Sequence, residues 1–112
     1  MPNIDPAAKA WELDLAKRVG QAVQKRRNAL NLTAQQLAER TAELGYPITR
    51  VAISKIETNK RVGKLDVAEL LVLAAALDIP PVLLLFPAGF REQVLAPTLA
   101  GLGVPGLELP QP

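Results

Sequence analysis

The chain has 112 residues, about half of them apolar and few aromatic, which suits one small domain with an aliphatic core. Cysteine and histidine are absent, so disulfides, thiol chemistry and the commonest zinc sites are excluded, and we expect a cytoplasmic protein. The net charge of +2 hides an asymmetry, because residues 15–64 carry eleven lysines and arginines against three acids. This excess predicts a polyanionic partner such as nucleic acid, with an ordinary solvated surface as the alternative.

The sequence indicates neither a leader peptide nor a membrane span. Its first fourteen residues lack the basic and apolar regions of a signal peptide. Residues 70–86 are the most apolar stretch, but the unbroken run covers only residues 70–77 before Asp78 and two prolines interrupt it. Because a span needs about 20 apolar residues, buried helices are expected here.

The N-terminal part predicts a flexible end followed by a long helix. Residues 1–8 contain two prolines and no periodicity, so they are predicted to be flexible. From residue 9 to about residue 30, apolar residues recur at helical spacing on one face, while the opposite face is polar. The apolar positions are Leu15, Val19, Ala22 and Val23.

Three later helices share the same type of start signal. Thr33 precedes Gln36 by three residues, which is the pattern of a capping box. Asp66 precedes Glu69 at the same distance, and Thr49 lies between two isoleucines at the spacing of a hydrophobic staple. Helices are therefore predicted to begin near residues 34, 50 and 67.

The ends of these helices are also marked. Gly45, which comes shortly before a proline, ends the second helix, and Asn59 ends the third because asparagine tolerates a left-handed turn. The fourth helix is predicted over residues 67–77. Pro81 then opens a fifth, short helix over residues 82–86.

These elements predict an all-α fold of five helices, with the second and third joined by a turn in the basic segment as a helix-turn-helix. Residues 1–8 are expected to form a flexible N-terminus and residues 9–87 the folded domain. Residues 88–112 are rich in glycine and proline and are expected to form an irregular tail, with one possible extended piece at residues 93–95.

Three stretches resemble a known family: LTAQQLAER at residues 32–40, ISKIETNKR at residues 53–61 and LLVLAAALDIPPVLLL at residues 70–85. Over residues 15–86 the chain resembles the Cro/C1-type (XRE-like) helix-turn-helix domains of phage repressors and bacterial regulators. The resemblance implies a lambda-repressor-like fold, with an N-terminally extended first helix here. It also implies a transcriptional regulator that binds double-stranded DNA sequence-specifically, with the third helix in the major groove.

The third predicted helix, about residues 50–57, has a side that does not face its own core. That side contains Arg50, Val51, Ser54 and Lys55. Arginine can donate two hydrogen bonds to guanine, lysine can donate to guanine or phosphate, and valine can contact a thymine methyl. Arg50, Val51 and Lys55 match the positions that the family uses for base contacts. The alternative is an ordinary solvated helix face with one stray valine.

The resemblance further implies an ion pair between Arg27 and Glu57 that fixes the third helix against the first. A simple surface glutamate is the alternative. Lys25 and Arg26 would then stay free for phosphates. Further phosphate contacts are expected from helix N-termini and from the loop after the third helix: Gln35, Gln36, Thr49, Lys60, Arg61 and Lys64. For Lys64, a solvated charge is an equal alternative.

Two features depart from the family pattern. Ala34 follows the Thr33 cap where the family often has a DNA-contacting glutamine, so that contact is absent or moves to Gln35. The connection through residues 41–47 is longer than in the compact phage repressors, through a longer second helix or a longer turn. In this connection Tyr46 can reach a phosphate or cover the core, and packing on the core is the expectation.

The fourth and fifth helices are apolar on almost every side, which is more than one small domain can bury. The surplus predicts a homodimer surface, because two helix-turn-helix units usually bind two half-sites of a palindromic operator. The tail could instead cover this surface. The candidates for the surface are Leu73, Leu77, Ile79, Val82, Leu84, Leu85 and Phe86.

The leading functional hypothesis is a homodimeric repressor of phage or prophage type. One alternative is the antitoxin of a toxin–antitoxin pair, which would bind DNA with the same domain and a protein with its tail. Another is a protein-interaction module without DNA affinity. Catalysis is not expected, because the single serine, Ser54, has no histidine to activate it. No metal, cofactor or small-molecule ligand is indicated.

Overall fold

The computed structural model describes residues 4–60, 64 and 66–86, and these ranges contain five helices and no strand. The helices are α1 (Pro6–Ala29), α2 (Ala34–Glu43), α3 (Arg50–Glu57), α4 (Val67–Ala76) and α5 (Pro81–Leu85). The all-α prediction is confirmed. The predicted tail over residues 88–112, including its extended piece, lies outside the described residues. None of the described helices is long and apolar enough to cross a membrane.

α1 begins at Pro6, so the prediction of a flexible segment over residues 1–8 is wrong for residues 6–8. Asp5 is the N-cap, and its Oδ1 accepts a hydrogen bond from the Ala7 N–H at 2.8 Å. Pro6 occupies the first helical position, where no backbone N–H is needed and its fixed φ suits the helix. This turn has a cap and a proline but no apolar stripe, which is why periodicity did not reveal it.

The predicted caps of α2, α3 and α4 are confirmed. Gln36 N–H donates to Thr33 Oγ1 at 3.0 Å, and Thr33 N–H donates to Gln36 Oε1 at 2.8 Å, which completes the capping box. Thr49 Oγ1 and Asp66 Oδ1 each accept from the N–H three residues further on, at 3.1 Å. These side chains bind N–H groups that have no partner within the helix, and so they define where each helix begins.

The first four helices end in the same way, with a left-handed residue that is followed by a hydrogen bond back into the last turn. After α3, for example, Lys60 N–H donates to the carbonyl oxygen of Lys55 at 2.9 Å. Asparagine and aspartate, like glycine, tolerate this conformation. The predictions for Gly45 and Asn59 are confirmed, and two further ends were not predicted. The positive-φ residues are Asn31, Gly45, Asn59 and Asp78.

The core consists of aliphatic side chains contributed by all five helices. α3 packs against α1 and α2, while α4 packs against α2 and α5, and α5 also packs against α1. The largest apolar side chains with almost no solvent contact come from all five helices and form one cluster: Val19, Val23, Leu37, Ile53, Leu73, Leu77 and Leu84. This packing places the third helix on a platform formed by the first two.

The core includes three residues that were predicted for a dimer surface. Leu73, Leu77 and Leu84 are 0–1% exposed, so this prediction is wrong for them. The reason is that α4 packs against both α2 and α5, and α5 packs against both α1 and α4, so each helix buries more than one side. Val82 is 46% exposed. The remaining candidates are half-buried: Ile79, Leu85 and Phe86.

α1 and α3 come together at Gly20 with almost no space between their backbones. A Cβ atom at this position would lie 2.3 Å from the carbonyl oxygen of Ile56 and 3.2 Å from that of Glu57. The close approach therefore requires glycine in the middle of a helix, although glycine lowers helix propensity there. It brings the C-terminal turn of α3 directly onto α1.

Replacing Gly20 with alanine is expected to destabilise the protein. The new Cβ would meet a backbone oxygen, which side-chain rotation cannot relieve, and overpacking of this kind costs about 1–3 kcal/mol. A contact of 2.3 Å places this cost near the upper end of the range. Alanine also gains about 1 kcal/mol in helix propensity over glycine, but this gain is smaller than the cost, so the net effect on stability is unfavourable. Urea denaturation measures the change, with the exposed neighbour Gln21→Ala as control. Equal midpoints for the two variants would contradict the tight contact.

Candidate nucleic-acid interface

α3 divides into a buried side and an exposed side. Ile53 and Ile56 are buried in the core, and Ala52 is half-buried. The opposite side is open to solvent, and Val51, an apolar β-branched residue, is 53% exposed there. The exposed face of α3 consists of the four residues predicted to read bases, which share one side of the helix: Arg50, Val51, Ser54 and Lys55.

A bidentate ion pair fixes the C-terminal end of α3 to α1. Arg27 Nε and Nη2 donate to Oε2 and Oε1 of Glu57 at 2.8 and 2.9 Å, and the two side chains are only 13% and 5% exposed. Arg27 Nη1 also donates to the carbonyl oxygen of Leu32 at 2.8 Å. The hydrogen bond to Glu57 raises the pKa of Arg27 above its ordinary value, against the opposing effect of burial. Arg27 is therefore a structural residue.

Two other arginines hold the C-terminal end of α4. Arg26 donates from Nε to the carbonyl oxygen of Leu77 at 2.9 Å and from Nη2 to that of Asp78 at 3.0 Å. Arg40 Nη1 donates to the carbonyl oxygen of Ala76 at 3.1 Å. The expectation that Arg26 is free for phosphates is wrong, because its guanidinium satisfies carbonyls left without partners at the helix end. Nothing local in the sequence indicates these distant contacts.

The connection between α2 and α3 combines the last turn of α2 with a turn over residues 44–49. Gly45 has φ of 86°, and Tyr46 N–H donates to the carbonyl oxygen of Thr41 at 3.2 Å. Tyr46 is 42% exposed and is not part of the core, contrary to the expectation that it packs there. The turn leads through buried Ile48 into the first turn of α3.

The side chains predicted to contact phosphates differ in how many of their hydrogen-bonding groups are already used within the protein. Gln35 is exposed at the start of α2. Gln36 Oε1 is held in the capping box, so only its amide nitrogen is left to donate. Thr49 caps α3 through its oxygen and keeps a hydroxyl proton to donate.

The predicted phosphate contacts after α3 are cationic. Lys60 and Lys64 are exposed. Arg61 lies outside the described residues. No group of side chains that could hold a metal ion occurs among the residues that the structure describes.

Comparison with known protein families identifies the family of this chain. A helix-turn-helix family model matches residues 23–84, which is more than half of the chain. The chain belongs to the Cro/C1-type helix-turn-helix family. The matched range begins within α1 and ends within α5, so it includes α2, α3 and the turn between them. The protein is a helix-turn-helix DNA-binding transcription regulator. Neither curated proteins nor solved structures gave a match to the chain.

Removing the carboxylate of Glu57 is expected to destabilise the regulator. Glu57→Ala would leave the part-buried charge of Arg27 without its counter-ion, and breaking a buried pair costs about 3–5 kcal/mol. The lower end is expected, because Leu32 still accepts from Arg27.

Urea denaturation of a second variant provides the control. Glu12→Ala breaks an exposed pair, Lys9 with Glu12 at 3.2 Å, and such pairs contribute about 0–1 kcal/mol. If Glu57→Ala and Glu12→Ala lose the same stability, the pair between Arg27 and Glu57 is no stronger than a surface contact.

Proposed function

We propose that this regulator is a homodimeric repressor of phage or prophage type that reads a palindromic operator with the exposed face of α3. The supporting observation is the division of this helix. Ile53 and Ile56 attach it to the core, so Arg50, Val51, Ser54 and Lys55 project together into solvent. A helix of this kind fits the width of the DNA major groove.

The side chains on the exposed face of α3 have complementary base-reading chemistry. Arg50 is the first residue of the helix, at the end that contacts base edges in helix-turn-helix proteins, and its two parallel donors match guanine O6 and N7. Val51 can contact a thymine methyl group, and the Ser54 hydroxyl can donate or accept. Lys55, one turn after Val51, can donate to guanine or to a phosphate. Donors together with an apolar contact discriminate between base pairs.

The attachment of α3 supports a role in specific recognition. Hydrogen bonds to base edges need a side chain held within a fraction of an ångström and at a fixed angle. The bidentate pair of Arg27 with Glu57 and the close approach at Gly20 both hold the C-terminal turn of α3 on α1. The exposed face is thereby presented by a helix that cannot roll freely.

Phosphate contacts in this proposal come from helix N-termini and from cations after α3. The N-termini of α2 and α3 have backbone N–H groups that favour anions, and Gln35, Gln36 and Thr49 lie there. Lys60, Arg61 and Lys64 would add charge attraction. Contacts of this kind place the protein on the duplex without reading its sequence.

We place the dimer surface on the exposed side of α5. Val82 and Leu83 are 46% and 40% exposed there, next to the half-buried Ile79, Leu85 and Phe86. A single unit reads only a few base pairs, whereas two copies can bind half-sites about one helical turn apart. Apolar residues exposed side by side on a short helix fit such a contact.

Selection of bound sequences from a random duplex pool defines the cognate site, and Arg50→Ala then tests base reading. The variant is expected to lose about 1–3 kcal/mol of binding free energy on the selected duplex and to relax the preference at one base pair. Titration against the selected and a random duplex measures both effects. Equal weakening on the two duplexes would remove Arg50 from the base-reading set.

Lys60→Ala is the matched control for a phosphate contact. It is expected to weaken binding to every duplex alike and to reduce the salt slope of affinity by about 1. Titration at several salt concentrations measures the slope. An unchanged slope would remove Lys60 from the phosphate contacts.

Val82→Glu tests the dimer surface. It is expected to raise the dimer dissociation constant by about tenfold or more, because the introduced carboxylate would have to be desolvated when the dimer forms. Analytical ultracentrifugation measures it, with Val67→Glu as control, since Val67 is an exposed valine on α4 that lies outside the proposed surface. A monomeric wild-type protein whose selected site lacks two-fold symmetry would contradict the homodimer.

A further inference from the structure

Thr41 closes the turn between α2 and α3 from inside the molecule. It is the one buried polar residue in the described part of the chain and has no solvent contact. Its Oγ1 donates to the carbonyl oxygen of Ala38 at 2.7 Å and accepts from the Ile48 N–H at 2.9 Å. Its own carbonyl oxygen accepts from the Tyr46 N–H at 3.2 Å. One residue thus holds the turn near its start and at its end.

Water cannot replace the hydrogen bond from the Ile48 N–H to the Thr41 hydroxyl. Ile48 is 3% exposed, so its N–H has no access to water, and the Thr41 hydroxyl is its acceptor. A buried N–H left without an acceptor costs about 1–3 kcal/mol. Ile48 directly precedes Thr49, the cap of α3. The hydroxyl of Thr41 therefore fixes the backbone immediately before the first turn of α3.

We propose that Thr41 is a positioning residue for sequence reading, which sets where Arg50 and Val51 lie relative to α2. This inference rests on the base-reading function proposed above. The C-terminal end of α3 is held on α1 through Glu57, and the bond from Thr41 to Ile48 holds the other end. Without the second attachment, α3 can pivot about its C-terminal end. Its N-terminal residues then move furthest, and these are the residues that contact bases.

Three variants separate positioning from simple loss of stability. Thr41→Val keeps the size of the side chain and removes the hydroxyl, whereas Thr41→Ser keeps the hydroxyl. Val23→Ala lowers stability from a fully buried apolar site on α1 and leaves both hydrogen-bonding partners of the turn, Thr41 and Ile48, in place. Each folded variant is titrated against the selected duplex and against a random duplex. The quantity compared is the ratio of the two affinities.

Thr41→Val is expected to lower this ratio about tenfold, the size of one lost base contact, with little change on random duplex. Phosphate contacts tolerate a small shift of α3, but bidentate base contacts do not. Thr41→Ser and Val23→Ala are expected to keep the wild-type ratio. A Thr41→Val variant that keeps the ratio, or a Thr41→Ser variant that loses it equally, would overturn the inference.

Amide hydrogen exchange of the wild-type protein provides a test that does not depend on folding of Thr41→Val. The Ile48 amide is expected to exchange as slowly as the core amide of Ile53. Exchange at the rate of an exposed amide would show that the turn opens by itself, and would overturn the inference. A wild-type protein without any sequence preference would contradict base reading itself. That outcome is visible before any variant is made.

Discussion

The attachment of α3 to α1 is the constraint on which the rest of the structure depends. Arg27 and Glu57 form a nearly buried bidentate pair, and Gly20 lets the two backbones come so close that the pair can form. A buried pair contributes little net stability, but it is costly to break and allows few geometries. Its main effect is therefore orientational: Ile53 and Ile56 set which side of α3 faces the core, and the pair limits how far the helix can rotate on α1.

Local chemistry made three of the helix starts predictable from the sequence. The starts of α2, α3 and α4 depend on side chains that cap their own first turns, so Thr33, Thr49 and Asp66 revealed them. The exposed side of α3 followed from the periodicity of two isoleucines. By contrast, Arg26 and Arg40 bind carbonyl groups 36 to 52 residues away, and no spacing in the chain indicates that. Leu73, Leu77 and Leu84 were assigned to the surface because an almost uniformly apolar helix does not show which sides its neighbours cover.

The contacts of the arginines qualify the prediction of a polyanionic partner, which was based on charge. Eleven basic residues between positions 15 and 64 predicted a polyanionic partner, but several of them interact within the protein. Arg18 pairs with Asp14, Arg27 pairs with Glu57, and Arg26 and Arg40 bind carbonyl oxygens of α4 and its end. These contacts use the planar, forked guanidinium, whereas Lys55, Lys60 and Lys64 are exposed to solvent. The sign of the charge on residues 15–64 was informative, while the number of its cations overstated how many side chains are free to contact DNA.

Affinity and sequence preference are carried by different parts of this small domain in the function we propose. Phosphate contacts lie at helix N-termini and after α3, and they depend on charge more than on angle. Base reading depends on the angle of α3, which is fixed by residues that touch no DNA: Gly20, Arg27 and Glu57 at one end and Thr41 at the other. Because the exposed face of α3 contributes little to the core, its side chains can change without loss of the fold, as long as these attachments remain. A longer connection between α2 and α3 is compatible with precise docking in this proposal, since the buried Thr41 hydroxyl holds Ile48 directly before the Thr49 cap of α3.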